Sequence, residues 1–279
     1  MAAVFECIPN IAEGRDAAII DACAAAIVAG GLRLAHRTSD PVHHRTVFTF
    51  FGARDRIIDA AVALARVTTE RIDLRAHRGV HPRIGALDVL PFVPFGDATL
   101  DDAAELAHAV AARIWHELGV PSLFYGAASR HAPPRTLPEI RRGEFARLGE
   151  RQARGERPDV GEALFHPSAG TIAVGARPVL IAFNIELASG DLALARAIAH
   201  KIRARDGGIA TLRALGLRIS NNRVQVTCNL TDVDAVPLGR LVALVRRLAA
   251  RAGVAVADTE LIGLVPRRAL QAVLDERLQ

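Results

Sequence analysis

The order of hydrophobic periods along the chain constrains its fold more than any single motif. A strand-like run at 2–8 (AAVFECI) ends at Pro9 and Asn10, and an Ala-rich helical stretch follows at 16–29, stopped by Gly30 and Gly31. Two short strand candidates come next, LRLAHR at 32–37 and RTVFTFFG at 45–52, the second alternating and rich in β-branched and aromatic residues. A helix at 55–72 then leads through a polar, glycine-containing segment to the strand ALDVLPFVP at 86–94. That order is β-α-β-β-α-β, the ferredoxin-like plait.

The same order recurs in the second half. PVLIAFNIEL at 178–187 reads as a buried strand and 191–205 as an amphipathic helix; strands at about 210–218 and 223–230 follow. A helix at 237–253, the strand VAVADTELIGLV and a short helix from Pro266 complete it. Between the two plaits lie a helix at about 100–118, a strand at 122–126 and a charged stretch at 138–157. The expected architecture is therefore α+β, with two ferredoxin-like (βαββαβ) subdomains at 1–177 and 178–279 and a ligand groove between them.

Two connecting segments carry expectations of their own. In 138–157, Arg141, Arg142, Arg147, Arg151, Arg154 and Arg157 alternate with glutamates, the usual pattern of a solvated helix face. The glycine-rich connection at 165–178 lies at the proposed junction. Its Gly170 and Gly175 permit either close backbone approach to a ligand or the turns of a flexible linker, and spacing does not choose between them.

Composition narrows the function. With 51% apolar residues the chain buries enough surface to offset its ordering entropy, which excludes disorder. Charges interrupt every apolar stretch well before the roughly 20 residues a bilayer span needs, and the first residues lack the basic and apolar regions of a signal peptide. Cys7, Cys23 and Cys228 are odd in number and have no C-x-x-C spacing, as expected of reduced small hydrophobes in a cytoplasmic protein. Net charge is +5, and Lys201 is the single lysine. An arginine excess of this kind follows from a GC-rich genome or from a need to bind carboxylate or phosphate through planar guanidinium groups. A nucleic-acid reader is disfavoured, because the arginines are interspersed with acids and only 4% of residues are aromatic.

The densest polar cluster is LRAHRGVHPRIGALD at 74–88, with His77, Arg78, His81, Arg83 and Asp88 on a loop before a buried strand. A histidine held among arginines there suits acid/base work near neutrality. His77 and His81 have i,i+4 spacing, but Gly79 and Pro82 oppose a helix and no cysteine or further carboxylate completes a tetrahedral set, so no metal is expected. A second cluster at 39–48 holds Asp40, His43, His44 and Arg45 just before a strand. Adjacent histidines at a strand start point to opposite faces, so at most one is expected in a given site. A nucleophile elbow, a Walker A loop and a strand-linked G-x-G-x-x-G are all absent from the sequence, which disfavours those chemistries.

These blocks together resemble a known family. ECIPNIAEGR (6–15), HRGVHPRIGALDVLPFVP (77–94), RTLPEIRRGEF (135–145), AGTIAVGARPVLIAFNIEL (169–187), VQVTCNLTD (224–232) and ELIGLVP (260–266) stand in the order seen in the formiminotransferases. These are the glutamate formimidoyltransferases and the transferase part of formiminotransferase-cyclodeaminase. The resemblance spans essentially the whole chain. It implies paired ferredoxin-like subdomains with folate between them, usually as a homodimer in the cytoplasm. It also implies transfer of a formimino group from N-formimino-L-glutamate to the 5-position nitrogen of tetrahydrofolate in histidine breakdown, with no metal, membrane or nucleic-acid partner.

The catalytic histidine of the family falls on His81. The folate-binding stretch falls on 161–170, implying roles for Gly161, Phe165, His166, Pro167, Ser168 and Gly170. Arg45 and Arg83, with His44 beside them, are the expected carboxylate-binding residues. Three positions depart from the family pattern. Val42, His43 and His44 replace the more usual Asp-His-Asn, Glu186 replaces a common Asn, and Ala169 replaces the mammalian Trp. The first two bear on the glutamate pocket. They keep open formyl transfer between 5-formyltetrahydrofolate and glutamate, or a folate-binding protein without turnover.

Overall fold

The computed structural model describes residues 3–271 apart from 80, 221, 233, 234 and 268. It divides into two compact units, Met1–Pro178 and Val179–Gln279.

In the first unit, β1 (Val4–Cys7) and β2 (Asn10–Ile11) act as one strand interrupted at Pro9, which has no N–H to give a ladder. The chain continues through α1 (Ala17–Ala29), β3 (Leu34–Asp40), β4 (Arg45–Gly52), α2 (Arg54–Arg71) and β5 (Leu87–Phe95). The β1/β2 strand lies between β4 and β5, antiparallel to both, and β3 pairs with β4. This is the sheet order of the plait read from the sequence.

The sheet then grows beyond the plait. After α3 (Leu100–Leu118), β6 (Ser122–Gly126) pairs in parallel with β7 (Ile172–Ala176), which pairs in parallel with β5. α3 is closed at its start by a Thr99–Asp102 capping box and at its end by Gly119 with φ +65°. One face of the sheet packs through Phe48, Phe50 and Phe92 against Ile57, Leu64 and Leu106. The other face is covered at its β5–β7–β6 end by Ile84, Leu123, Ile140, Leu148 and Leu164. Burial on both faces explains why β5 reads as a continuous apolar run, and it makes Asp88 within that run conspicuous.

Both connecting segments differ from expectation. Residues 138–157 form two short helices, α4 (Leu137–Ile140) and α5 (Leu148–Ala153), rather than one solvated helix. Arg151 is buried, bonded to Glu156 and, at 2.7 Å, to the Ile140 carbonyl; Arg141 is drawn to Asp88. The carboxylates and carbonyls that satisfy these guanidiniums lie far along the chain or on irregular backbone, so charge periodicity could not reveal them.

The glycine-rich connection supplies the interior strand β7. A Cβ on Gly175 would lie 2.5 Å from the Tyr125 ring, and one on Gly170 would lie 2.0 Å from the Ile84 carbonyl oxygen. Both glycines permit close packing within the unit rather than ligand approach or linker flexibility.

The second unit runs β8 (Ile181–Leu187), α6 (Leu192–Ile202), β9 (Leu212–Ser220), β10 (Arg223–Leu230), α7 (Leu238–Ala250) and β11 (Val256–Ile262). Its strands stand in the antiparallel order β11-β8-β10-β9, again the plait, over a core of Phe183, Ile185, Ile198, Val226, Leu241 and Val245. The short helix expected from Pro266 falls largely outside the described residues. Cys7, Cys23 and Cys228 are all buried free thiols. Among the described residues no helix is long and apolar enough to cross a membrane.

Candidate active site

The polar loop between α2 and β5 takes its shape from Arg83. Its guanidinium donates to His77 Nδ1 and to the Gly79 carbonyl, and its Nε donates to the His81 carbonyl at 3.3 Å. The loop is fixed from outside by Phe145 N–H, which donates to the Arg83 carbonyl at 2.8 Å. None of the described residues of 77–81 is helical, as Gly79 and Pro82 indicated. Arg83 is thus a clamp for the histidine loop, and it also lines the space beside it.

Beneath the loop, Asp88 is 1% exposed and serves three donors. Its Oδ1 accepts from Ile84 N–H at 2.8 Å, while Oδ2 accepts from Arg45 Nη1 at 3.1 Å and from Arg141 Nη2. Burial works against the Asp88 carboxylate, but Arg141, Arg45 and the Ile84 N–H outweigh it and hold its pKa below the ordinary value. Arg45 also donates through Nε and Nη2 to Asn10 Oδ1 at 3.0 and 2.5 Å. Burial, with Arg141 alongside, pushes the Arg45 pKa down to about 9.

His81 sits at the edge of this network. Its Nδ1 is 2.8 Å from Arg45 Nη1 and 2.7 Å from the Pro82 carbonyl oxygen. One ring nitrogen can satisfy only one of these. As Nδ1–H it donates to Pro82 and leaves a lone pair on Nε2; as bare Nδ1 it accepts from Arg45 and carries its proton on Nε2. Burial, then Arg45 and Arg141, push its pKa down to about 3, so the ring is neutral at physiological pH.

The second histidine cluster forms a tight turn rather than the start of a strand. His44 has φ +53°, and β4 begins only at Arg45. This left-handed residue breaks the alternation expected of adjacent strand positions. As a result both His43 and His44, with Ala12, Arg45, His81, Arg83 and Asp88, line one small recess. His44 stacks on His77 with centroids 4.0 Å apart, and its Nδ1 accepts from Gly14 N–H at 3.1 Å. His43 Nδ1 is 2.5 Å from Asp40 Oδ2.

Beside the recess opens a cleft of about 360 Å³, lined by Leu74, Arg75, His77, Arg78, Gly79, Arg83 and Glu144–Ala146. The 161–170 segment backs this cleft unevenly. Ser168 accepts through its carbonyl from Leu74 N–H at 2.9 Å, and Phe165 meets Phe145 edge-on at 6.4 Å. His166 turns its Nδ1 inward to accept from Ala169 N–H at 3.1 Å, and Pro167 stands exposed in the turn. A Cβ on Gly161 would meet Pro121 and one on Gly170 the Ile84 carbonyl; Gly170 is buried and Gly161 half-buried. Ala169 is buried, while in the other unit Glu186 lies 3.5 Å from Arg223 Nη1. Among the described residues no set of three His, Cys, Asp or Glu is placed to hold a metal ion.

Comparison with known proteins decides the family. Residues 4–177 match the formiminotransferase domain, N-terminal subdomain, and residues 182–275 match the formiminotransferase domain. The chain belongs to the formiminotransferase family. A glutamate formimidoyltransferase of Streptococcus pyogenes is 38% identical over 282 residues, covering 100% of this chain and 94% of its own length. The glutamate formimidoyltransferase of Thermoplasma acidophilum is 37% identical over 281 residues, covering 99% and 92%. The formimidoyltransferase-cyclodeaminase of Sus scrofa is 37% identical over 283 residues, and there the match spans 51% of the longer protein.

Within this formiminotransferase chain, His81, Arg45, Arg83 and His44 line the same recess. Sequence reasoning missed Asn10, which holds Arg45, and Glu13, whose Oε1 accepts from the N–H groups of Gly14, Arg15 and Asp16 and lies 3.3 Å from His44. It also missed Arg141. Asn10 and Glu13 both lie in the ECIPNIAEGR block, whose polar residues on a short apolar strand were the available signal.

Proposed function

We propose that this formiminotransferase moves a formimidoyl group from N-formimino-L-glutamate to the 5-position nitrogen of tetrahydrofolate, with His81 as the base that accepts the proton from that nitrogen. The observation that carries the reading is the His81 ring, kept neutral by burial and by Arg45 and Arg141, with Nδ1 within reach of the Pro82 carbonyl. In that tautomer Nε2 has the lone pair a general base needs.

Both substrates are anionic, and the groups at hand suit them. Arg45, with its counter-charge shared between two guanidiniums, is suited to a donor carboxylate, and His44 and Arg83 close the same recess. The adjoining cleft combines Arg75, Arg78 and Arg83 with the Phe145 ring, a fit for an aromatic ligand with an acidic tail. Phe165 and Ser168 back its wall through Phe145 and Leu74, with His166 and Pro167 in the turn between them, and we place the folate against this segment. We further place the enzyme in the cytoplasm, as a homodimer acting in histidine breakdown.

The test is direct. Purified protein given both substrates should yield a product that cyclises on acidification to the methenyl folate chromophore. His81→Ala should lower kcat about 10²–10⁴-fold while folate binding persists. Turnover with 5-formyltetrahydrofolate and glutamate that exceeds formimidoyl transfer would assign the chain to formyl transfer instead, and an absence of chromophore would overturn the reading.

A further inference from the structure

Transfer of this group needs two proton movements: the attacking nitrogen loses a proton and the departing glutamate nitrogen gains one. His81 is assigned the first. Its Nδ1 is engaged by Arg45 and the Pro82 carbonyl, so the ring offers a single nitrogen, Nε2, and a second group beside it can serve the departing nitrogen.

His43 has the placement of such a donor. Asp40 Oδ1 accepts from Val42 N–H at 2.8 Å and His43 N–H at 2.9 Å, which fixes the carboxylate, and Oδ2 is 2.5 Å from His43 Nδ1. Nδ1–H therefore points at Asp40 and the opposite nitrogen, Nε2, is left for a ligand. This carboxylate–imidazole pairing sets the tautomer and the ring orientation. The His43 ring lies edge-on to His81 with centroids 6.1 Å apart, and both line the recess. At that spacing both rings can serve one reacting centre. The neighbouring His44 and His77 stack on each other, with His77 Nδ1 taken by Arg83. The titratable and charged groups around His43 are Asp40, neutral His81 and Arg45, with Arg15 donating from Nε to the neighbouring Pro41 carbonyl at 2.8 Å.

We propose that His43, oriented by Asp40, is a second catalytic residue, the proton donor to the departing glutamate nitrogen; this rests on the formimidoyl-transfer reading above. As the bond from the folate nitrogen to the formimino carbon forms, that nitrogen's proton passes to His81 Nε2. As the bond from that carbon to the glutamate nitrogen breaks, His43 Nε2–H passes its proton to that nitrogen, and glutamate leaves as the amine. One proton is taken and one given, and exchange with water resets the two rings.

The test compares His43→Gln, Asp40→Asn and wild-type protein, with circular dichroism confirming the fold, using two donors. One is N-formimino-L-glutamate; the other is an N-formimino aromatic aminodicarboxylate, whose weakly basic nitrogen departs without protonation. With the first donor, kcat of His43→Gln should fall about 10²-fold or more, with KM changed less than about threefold. Asp40→Asn should fall about tenfold. With the second donor each variant should stay within about threefold of wild type. A loss of equal size with both donors, or a loss below about threefold with the first, overturns the proposal. A wild-type protein inactive with both donors overturns the transfer reading itself, and that outcome is seen before any variant is made.

Discussion

Arg45 Nη1 lies 3.1 Å from Asp88 Oδ2, and the Asp88 side chain is 1% exposed. Arg141 bonds the same oxygen, so a single carboxylate balances two guanidiniums in the interior of the first unit. Asp88→Asn leaves both cations without a counter-charge and should cost about 3–5 kcal/mol at neutral pH. The Asp88 pKa is held below the ordinary carboxylate value when folded. Its contribution is therefore complete above the unfolded value of about 3.9 and lost as pH falls through the folded one. Urea denaturation should show wild type and Asp88→Asn beginning to converge below about pH 4. A gap that stays constant from pH 7 to pH 3 would contradict this assignment.

His81 gives a second pH signature. Its folded pKa, about 3, lies below the ordinary histidine value. The unfolded chain therefore binds a proton that the folded protein refuses, and the stability associated with neutral His81 declines as pH falls from about 6.5 toward 3. A ligand carboxylate placed against Arg45 offsets the positive charge and should raise the His81 pKa. Ring-resonance titration by NMR should move upward on adding glutamate, and an unchanged midpoint would place the carboxylate elsewhere.

Gly170 provides a purely structural prediction. It has φ +73°, and a Cβ there would lie 2.0 Å from the Ile84 carbonyl oxygen and 3.0 Å from Leu74 Cδ1. Gly170→Ala combines left-handed strain with overpacking and should destabilise the protein by about 2–5 kcal/mol. Thermal unfolding measures it. A variant of unchanged stability with weakened folate binding would instead make Gly170 a ligand-facing position.

Much of the fold was legible in the sequence, because each plait keeps its faces apart: β4 alternates, α3 carries its own cap and stop, and β5 announces double burial by an unbroken apolar run. β7 was not legible, because GTIAVGA has the glycine content of a turn and its small residues are explained only by the Tyr125 ring and Ile84 carbonyl pressed against them. In the site, His81, Arg45 and Arg83 stood out as a polar block before an apolar strand. His43 was obscured by strand alternation, since nothing local announces that His44 turns left-handed. Arg141 was hidden among arginines of similar spacing, and only the distant Asp88 distinguishes it.

Arg141 also supplies the most discriminating prediction about substrate. Its Nη2 bonds Asp88, while its Nε–H is buried with no protein partner among the described residues, 53 positions along the chain from that carboxylate. A buried guanidinium donor left unpaired is costly, and a ligand oxygen would satisfy it. Arg141→Gln should raise KM for N-formimino-L-glutamate about 10–100-fold, the worth of one charge-assisted hydrogen bond at about 1.5–3 kcal/mol. Part of any such loss could come through Asp88 and Arg45, so the comparison needs donors in which one carboxylate at a time is replaced by a carboxamide. If Arg141 binds a donor carboxylate, wild type and Arg141→Gln should differ by less than about threefold on one of those carboxamides, since the partner is already gone. An Arg141→Gln defect undiminished on every carboxamide would show that Arg141 acts only by holding Asp88.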